Sequence, residues 1–471
     1  MTRPAFHIEN IFDVLNPQGT GVNGFLKLKA IQLQDRVAAL ARDGDVLALS
    51  DYCEQSYLDY LFGLTGAANV LPLRYSVSAD LRHYINARTV FDRMKKHPDW
   101  PKVLERDPVL VPYLPSVPLY KQAREAGLKI PRGEWKTVVA DRLVDQMNDK
   151  GVFYRQCDEL GLPLPKHWYV DAGNLKDRVL AILRKCPRLY IRVLRSSGAF
   201  GNVSIRREGR GPSVRYTLEE LGKHDVSRDE FGKTLDTFVR STHWHEFVIS
   251  ELLDLYASPG TSFAAGASGI QIICHAHQRL TDSRRFFGLI YPINDEKISK
   301  YHPAIERAIH LLIEPWRQKG FRGYGDVDWM VTPEGEMFIA ELNARQTAAM
   351  PAIHIENRLS GLSTGPIQSG EGFATPRLAM VTGDRIALRR GGDFEDVRHA
   401  LYDRNLLWEQ RDGEGIVIYV PPVGGEHKTV GILSLAGSAE RAYRLYARAE
   451  SLLGSFEGKP LFEPAIEARV A

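Results

Sequence analysis

Two apolar runs, Tyr324 to Val331 and Glu336 to Leu342, flank the tetrapeptide Thr332-Pro333-Glu334-Gly335. Pro in second place and Gly in fourth are what a tight turn selects, so the stretch reads as a β-hairpin. Alternation along the first strand puts Asp326 and Asp328 on one face, and along the second it puts Glu341, Asn343 and Arg345 on one face. The acids lie among Val327, Trp329, Ile339 and Leu342, so the segment reads as buried. A buried carboxylate pair costs several kcal/mol unless a cation compensates it. Hard oxygen ligands of this kind suit Mg²⁺, which takes one or two carboxylates together with substrate phosphates. Arg345 adds a charged fork where a phosphate would emerge. Alternating charges on a solvated sheet face are the plain alternative for an isolated hairpin, and the apolar neighbours speak against it.

The chain has 471 residues, enough for about three domains at roughly 150 residues each. Lys and Arg number 61 against 58 Asp and Glu, a net charge of +3, which gives no electrostatic reason to expect nucleic acid or an anionic membrane as a partner. No run reaches the roughly 18 apolar residues of a membrane span. The first nine residues show no apolar signal core. The four cysteines (Cys53, Cys157, Cys186, Cys274) form no CxxC pair and read as small buried hydrophobes of a reducing compartment. A cytoplasmic protein is expected.

Residues 1–145 alternate strand and helix signals: apolar residues at helical spacing from Leu26 to Leu40, a strand at Val46 to Leu49, a helix from Tyr57 to Leu64, strands at Val70 to Leu73 and near Val109 to Leu114. That alternation predicts a parallel sheet covered by helices. From about 146 the texture changes. Asp149 caps a helix from Lys150 to Leu160, ended by Gly161 and Pro163; Arg188 to Val193 and Val203 to Ile205 are strands around a Ser/Gly loop. Phe247 to Leu253 is a short apolar stretch, Phe263 to His277 and Phe286 to Tyr291 are further strand candidates, and Pro303 to Gln318 has helical periodicity. Residues 360–376 read as a linker or mobile loop. The tail has strands at Ile416 to Val420 and Val430 to Leu435 and closes with a helix after Ser438.

On these residues the sequence resembles the ATP-grasp superfamily over about residues 146–350. Asp328, Glu341 and Asn343 match its D…ExN magnesium triad, with a 13-residue step from Asp328 to Glu341 like that of D-alanine–D-alanine ligases. Lys150, heading the helix before Gly161-Leu162-Pro163-Leu164-Pro165, is similar to the lysine element that reaches nucleotide phosphates. Arg192 followed by Ser196, Ser197, Gly198 and Gly201 resembles the second basic strand and glycine-rich flap. Glu251 and Leu253 fall where the family holds the adenine ring and its amino group.

The resemblance implies an α/β (α+β) fold: a pre-ATP-grasp α/β domain at 1–145, an ATP-grasp core at 146–355 with lobes at about 146–250 and 251–355, and a small β-rich C-terminal region at 356–471 that completes the fold. It implies ATP and Mg²⁺ as cofactors and an ADP-forming ligase that activates a small-molecule carboxylate as an acyl phosphate and joins it to an amine, on amino acids or small peptides. The whole-chain layout is nearest to peptide ligases of specialised metabolism that carry a preceding pre-grasp domain. Asp328, Glu341 and Asn343 would hold the metal, and Lys150, Arg192 and the flap the phosphates. Arg345, with Arg192, is the catalytic candidate, for the acyl phosphate or the tetrahedral oxyanion. A phosphotransferase and a non-catalytic nucleotide-binding regulator stand as alternatives on the same fold. Oligomeric state is open, although dimers are common in the superfamily.

The physical reasons hold without the name. A Gly/Ser loop lets backbone N–H groups approach phosphate oxygens, and Lys150 and Arg192 offset polyphosphate charge. Arg192 stands where the family usually has Lys, which keeps the charge and gains a bidentate fork. Asp326 stands where many relatives have Gly, and the expectation is an outward-facing side chain. His243, His245, His275 and His277 form two same-face pairs that could bind zinc but lack supporting ligands, and Arg284-Arg285 reads as a solvated pair.

Overall fold

The structure is a computed structural model and describes residues 3–10, 13, 33–76, 86–195, 202–209, 213–242, 244–282, 284–362, 372–389, 391–422 and 428–456. Among them, nineteen strands form three sheets. The first is four-stranded and parallel, in the order β3 (Leu71–Tyr75), β2 (Val46–Ser50), β1 (Ala5–Ile8), β4 (Val109–Pro112). Its strands are nearly continuous apolar runs, as strands covered on both faces must be. The anticipated strands at 46, 70 and 109 are present; β1 at the centre has only four residues and was not anticipated.

The second sheet is antiparallel, in the order β5 (His167–Asp171), β10 (Glu246–Glu251), β6 (Arg188–Val193), β7 (Val203–Glu208), β8 (Arg215–Leu218), β9 (Lys223–Val226). It is backed by the helices Leu175–Leu183 and Arg228–Thr242. Its core, built on Leu175, Leu189, Ile191, Phe231, Leu235 and Phe247, is its own.

The third sheet runs β15 (Met337–Asn343), β14 (Gly323–Val331), β11 (Pro259–Ala265), β12 (Ile270–Leu280), β13 (Phe286–Tyr291), β16 (Ala379–Leu388), β18 (Thr429–Ala436), β17 (Gly415–Val420), with β19 (Gly454–Phe456) beside β16. The segment read as strand from Phe263 to His277 is therefore two strands, β11 and β12, folded back on each other. The C-terminal region continues this same sheet: β16 pairs with β13 on one side and β18 on the other.

The cores follow this connectivity. Leu47, Leu49 and Tyr57 share one with Met350, Ile353, Ile386, Val417 and Tyr446. The Tyr57 hydroxyl donates to the Tyr419 carbonyl at 2.8 Å, and its ring meets Phe394 edge-on at 5.5 Å. On the other face, Phe6, Val46 and Phe91 join Phe153, Val327, Trp329 and Ile339. The first and third sheets thus share two cores, while the second sheet has a core of its own and adds Val248 of β10 to one of the shared ones. No helix among the described residues is long and apolar enough to cross a membrane.

Candidate active site

The hairpin pairs Asp326 with Asn343 and Asp328 with Glu341, and a bulge follows Asp328. On the other side β11 places Ser262 opposite Asp326 and Gly260 opposite Asp328. Side chains lock into this register. Asn343 Nδ2 donates to Asp328 Oδ2 at 3.1 Å, and Arg345 Nη2 donates to Asn343 Oδ1 at 2.7 Å. Gln278 of β12 donates to Asp328 Oδ1, and Ser262 Oγ donates to Asp326 Oδ2 at 2.8 Å. Gly260 has no Cβ to crowd them; one built there would lie 3.0 Å from the Gln278 amide and 3.2 Å from Asp326 Oδ1.

Asp326 does not face outward as expected. It is buried, with Ser262 on one side and the Asp328 carboxyl hydrogen-bonded on the other. The misreading has a physical cause: strand alternation gives the shared face with Asp328 but not which side the neighbouring β11 covers. Burial raises the Asp328 carboxyl well above its usual range, and the charges of Asp326 and Glu341 raise it further. Burial raises Asp326 as well, against the hydrogen bonds from Asp328 and Ser262. A cluster of carboxylates that repel one another in a dry site is what a bound cation relieves.

Lys150 is brought to this cluster by the head of the helix Lys150–Glu159, where the Asp149 side chain caps the amides of Gly151 and Val152. Its own amide donates to the Leu194 carbonyl at 2.8 Å. Lys150 Nζ lies 3.2 Å from Glu341 Oε1. Burial holds the ammonium below its usual range, partly offset by Glu341. Arg192, on β6, is buried with its guanidinium 4.7 Å from the Tyr190 ring centroid and 6.0 Å from that of Tyr154. Its Nε is a buried donor with no partner among the described residues.

Arg192, Asp328, Glu341, Asn343 and Arg345 line one cavity of about 240 Å³ between the second and third sheets, with Lys150 joined to it through Glu341. Ser196, Ser197, Gly198 and Gly201 lie outside the described residues. Asn202, just before β7, accepts from the Val193 amide and donates to the Tyr190 hydroxyl, both at 3.2 Å, so it ties the approach to β7 to β6. Glu251 ends β10 beside the Cys186 thiol. The Leu253 carbonyl accepts from Arg284, which lines the cavity rather than standing in a solvated pair.

Among the described residues His245, His275 and His277 join no metal-binding group. His245 precedes β10 and is exposed; His275 stacks on His302 at 4.1 Å; burial brings His277 down to about 4; His243 lies outside the described residues. No group of three or more His, Cys, Asp and Glu forms a metal cluster among the described residues. All four cysteines are buried and free, as read from the sequence.

Sequence reasoning missed residues contributed from outside the core. Arg36 and Tyr113 reach the cavity from the N-terminal region, Asp384 and Arg385 from β16. The Tyr113 hydroxyl accepts from Arg345 Nη1 at 2.8 Å, and its ring has Arg345 at 5.3 Å and Arg36 at 5.0 Å. Arg36 is in turn paired with Glu9 at 2.7 Å, both 2% exposed. No local spacing marks these residues, since they meet only when β4 and β16 are placed.

No protein-family model and no curated protein matches the sequence. Solved structures match over most of the chain. A biotin carboxylase complex with a β,γ-ATP analogue from Campylobacter jejuni has a TM-score of 0.56 at 11% identity, covering 90% of each chain. The biotin carboxylase domain of a Hydrogenobacter thermophilus 2-oxoglutarate carboxylase, with MgADP and bicarbonate, has 0.54 at 10% identity, covering 88% of this chain and 86% of that one. An N5-carboxyaminoimidazole synthase from Aspergillus clavatus, with ADP and 5-aminoimidazole ribonucleotide, has 0.51 at 11%, covering 88% and 99%. At such identities the likeness shows the fold, and the fold is the ATP-grasp fold that the D…ExN residues anticipated.

Proposed function

We propose that this chain is an ATP-dependent, ADP-forming carboxylate–amine ligase. The observation that carries the reading is the convergence of Lys150, Arg192, Asp328, Glu341, Asn343 and Arg345 from four separate elements, three cations against acids whose repulsion a metal would relieve. The complexes of the neighbouring folds with ADP, an ATP analogue and MgADP support it.

In this reading Asp328, Glu341 and Asn343 hold Mg²⁺, which when bound supplies neutralising charge for a transferring phosphoryl group. Lys150 and Arg192, with backbone amides of residues 196–202, hold phosphates, and Glu251 and Leu253 flank the base. Arg345 is kept in place by Asn343 and Tyr113, so its guanidinium is set to offset the oxyanion that forms when an amine attacks an acyl phosphate. Closure of the separately cored second sheet would exclude water, which would otherwise hydrolyse that acyl phosphate.

For the substrates, we take the acid and the amine to be amino acids or small peptides of specialised metabolism, handled in the cytoplasm by a homodimer. Support comes from the mixed charge around the cavity, where Arg36 and Arg385 stand with Asp384 and suit a zwitterion. The neighbours' bicarbonate and 5-aminoimidazole ribonucleotide belong to non-peptide chemistry and are the first rivals to test.

The experiment is ADP release from the purified chain against pairs of acids and amines, bicarbonate included, with mass detection of products. Amine-dependent release with an amide product is expected; release with a phosphorylated acid and no amine dependence would favour a phosphotransferase, and no release with any pair would sink the ligase reading.

A further inference from the structure

A second cavity, of about 330 Å³, lies behind the wall of the first. Its sides come from β4 (Leu110, Val111), from Val144, and from Phe321 and Tyr324 at the head of β14. Arg345 borders both cavities, so the segment just past β15 forms part of the partition between them. The Gln346 amide donates to the Tyr113 carbonyl at 3.0 Å and its side chain to the Pro112 carbonyl at 3.1 Å, which fixes that partition to β4.

The remaining wall is the helix Arg132–Trp135 and the π-helical turn Lys136–Ala140 that continues it. A π turn widens the helix, is rare, and is frequent at functional sites. Here it presents Thr137 and Val138 to the cavity, with Thr137 Oγ1 donating to the Gly320 carbonyl at 3.4 Å. Polar groups on the lining are few and mostly committed. Arg322 donates to the carbonyls of Arg317 and Phe321, at 2.7 and 2.6 Å, and Arg345 to Tyr113 and Asn343. Glu134 is the exception. Tyr120 OH donates to its Oε2 at 3.2 Å and is its one hydrogen-bond partner among the described residues, while a carboxylate has about four acceptor positions.

We infer that this cavity is a second ligand site, separate from the cleft that holds Asp328 and Glu341, and that it takes an apolar, aromatic-sized body carrying one cationic amine, read by Glu134 with Tyr120. Size selects the body and Glu134 the amine, since the Arg322 and Arg345 guanidinium groups on the same lining are turned to backbone carbonyls and to the Tyr113 and Asn343 side chains. A cavity of about 150 Å³ lined by aliphatic residues accommodates benzene, and this one has room for a bicyclic ring. A carboxylate on an apolar wall pairs with an ammonium and repels an acid.

The test is calorimetric titration of the full-length chain with tryptamine, and with indole-3-acetate as an anion of matching ring and length. The site predicts tryptamine at least tenfold tighter than indole-3-acetate. Glu134→Gln should bring the two within about twofold, and Val138→Trp, which fills the cavity, should abolish binding of both. Absence of tryptamine binding, equal affinity for the two probes, or a preference that survives Glu134→Gln or Val138→Trp would overturn the inference. Neither variant touches the phosphate or metal side chains, so the result stands whatever the ligase assay returns.

Discussion

Lys150 Nζ lies 3.2 Å from Glu341 Oε1, with the lysine side chain 3% exposed and the glutamate 20%. The pair fastens the head of a helix to the last strand of the hairpin, so one contact joins a phosphate-binding candidate to a metal-binding one. Single changes should therefore not add. Lys150→Met and Glu341→Gln are each expected to weaken MgATP binding or turnover by about 100-fold, and the double variant should fall short of the product of the two by a coupling of about 1 kcal/mol or more. A double-mutant cycle on nucleotide affinity and kcat/KM measures it. Near-normal turnover in Glu341→Gln would end the metal assignment.

Arg192 gives a sharper test of chemistry because its charge can be kept while its shape is changed. Its guanidinium lies over Tyr190 and near Tyr154, which a planar group does well and an ammonium does poorly. Arg192→Lys restores the residue usual in the superfamily, yet it should lower nucleotide affinity about tenfold here, because the Tyr190 and Tyr154 walls are shaped for Arg. Equal affinity in a direct binding titration would show that charge alone matters at this position.

What the sequence disclosed and what it hid divide along physical lines. Asp328, Glu341, Asn343 and Arg345 were legible because a turn fixes the register of two adjacent strands, and register fixes which side chains meet. The Asp149 cap of the Lys150 helix was legible for the same local reason. Gln278 and Ser262 were not, since they reach the carboxylates only through β11 and β12, whose boundary the sequence blurred into one strand. Tyr113, Arg36 and Asp384 come from segments far from the hairpin in sequence, and nothing in their own neighbours signals the meeting. The parallel first sheet was legible from its apolar runs, but β16, the strand that joins the C-terminal region to the core, was not foreseen.

Gly325 is the tightest glycine of the hairpin, on the core face opposite Asp326 and Asp328. A Cβ there would come within 2.4 Å of the Phe263 ring, which is fully buried, and 2.8 Å of the Asn343 carbonyl. Neither can give way cheaply, so Gly325→Ala should cost roughly 1–3 kcal/mol of stability and shift the Asn343 backbone. Denaturant unfolding should show the loss, and turnover should fall with it; an unchanged midpoint would mean that β11 and β14 part more easily than their packing suggests.

Asp35 makes the stability of the N-terminal region depend on pH. It is fully buried, accepts from the Ser50 amide at 2.9 Å and bonds the Ser50 hydroxyl at 2.7 Å, and burial raises its carboxyl from 3.8 to about 7 against those hydrogen bonds. A carboxyl raised in the folded state favours the protonated form there. Below the unfolded value both states are protonated and the contribution is whole. As pH rises from about 4 to about 7 the unfolded chain ionises first and stability is lost, and above 7 the slope vanishes. Three pKa units correspond to about 4 kcal/mol at most. Asp35→Asn is neutral at every pH and its amide can still serve both Ser50 groups. The variant should therefore gain on the parent steadily between pH 4 and pH 7, by an amount approaching that figure, in urea midpoints measured side by side. A difference that stays flat across this range would show that Asp35 is ionised in the folded protein and that its two Ser50 contacts outweigh its burial.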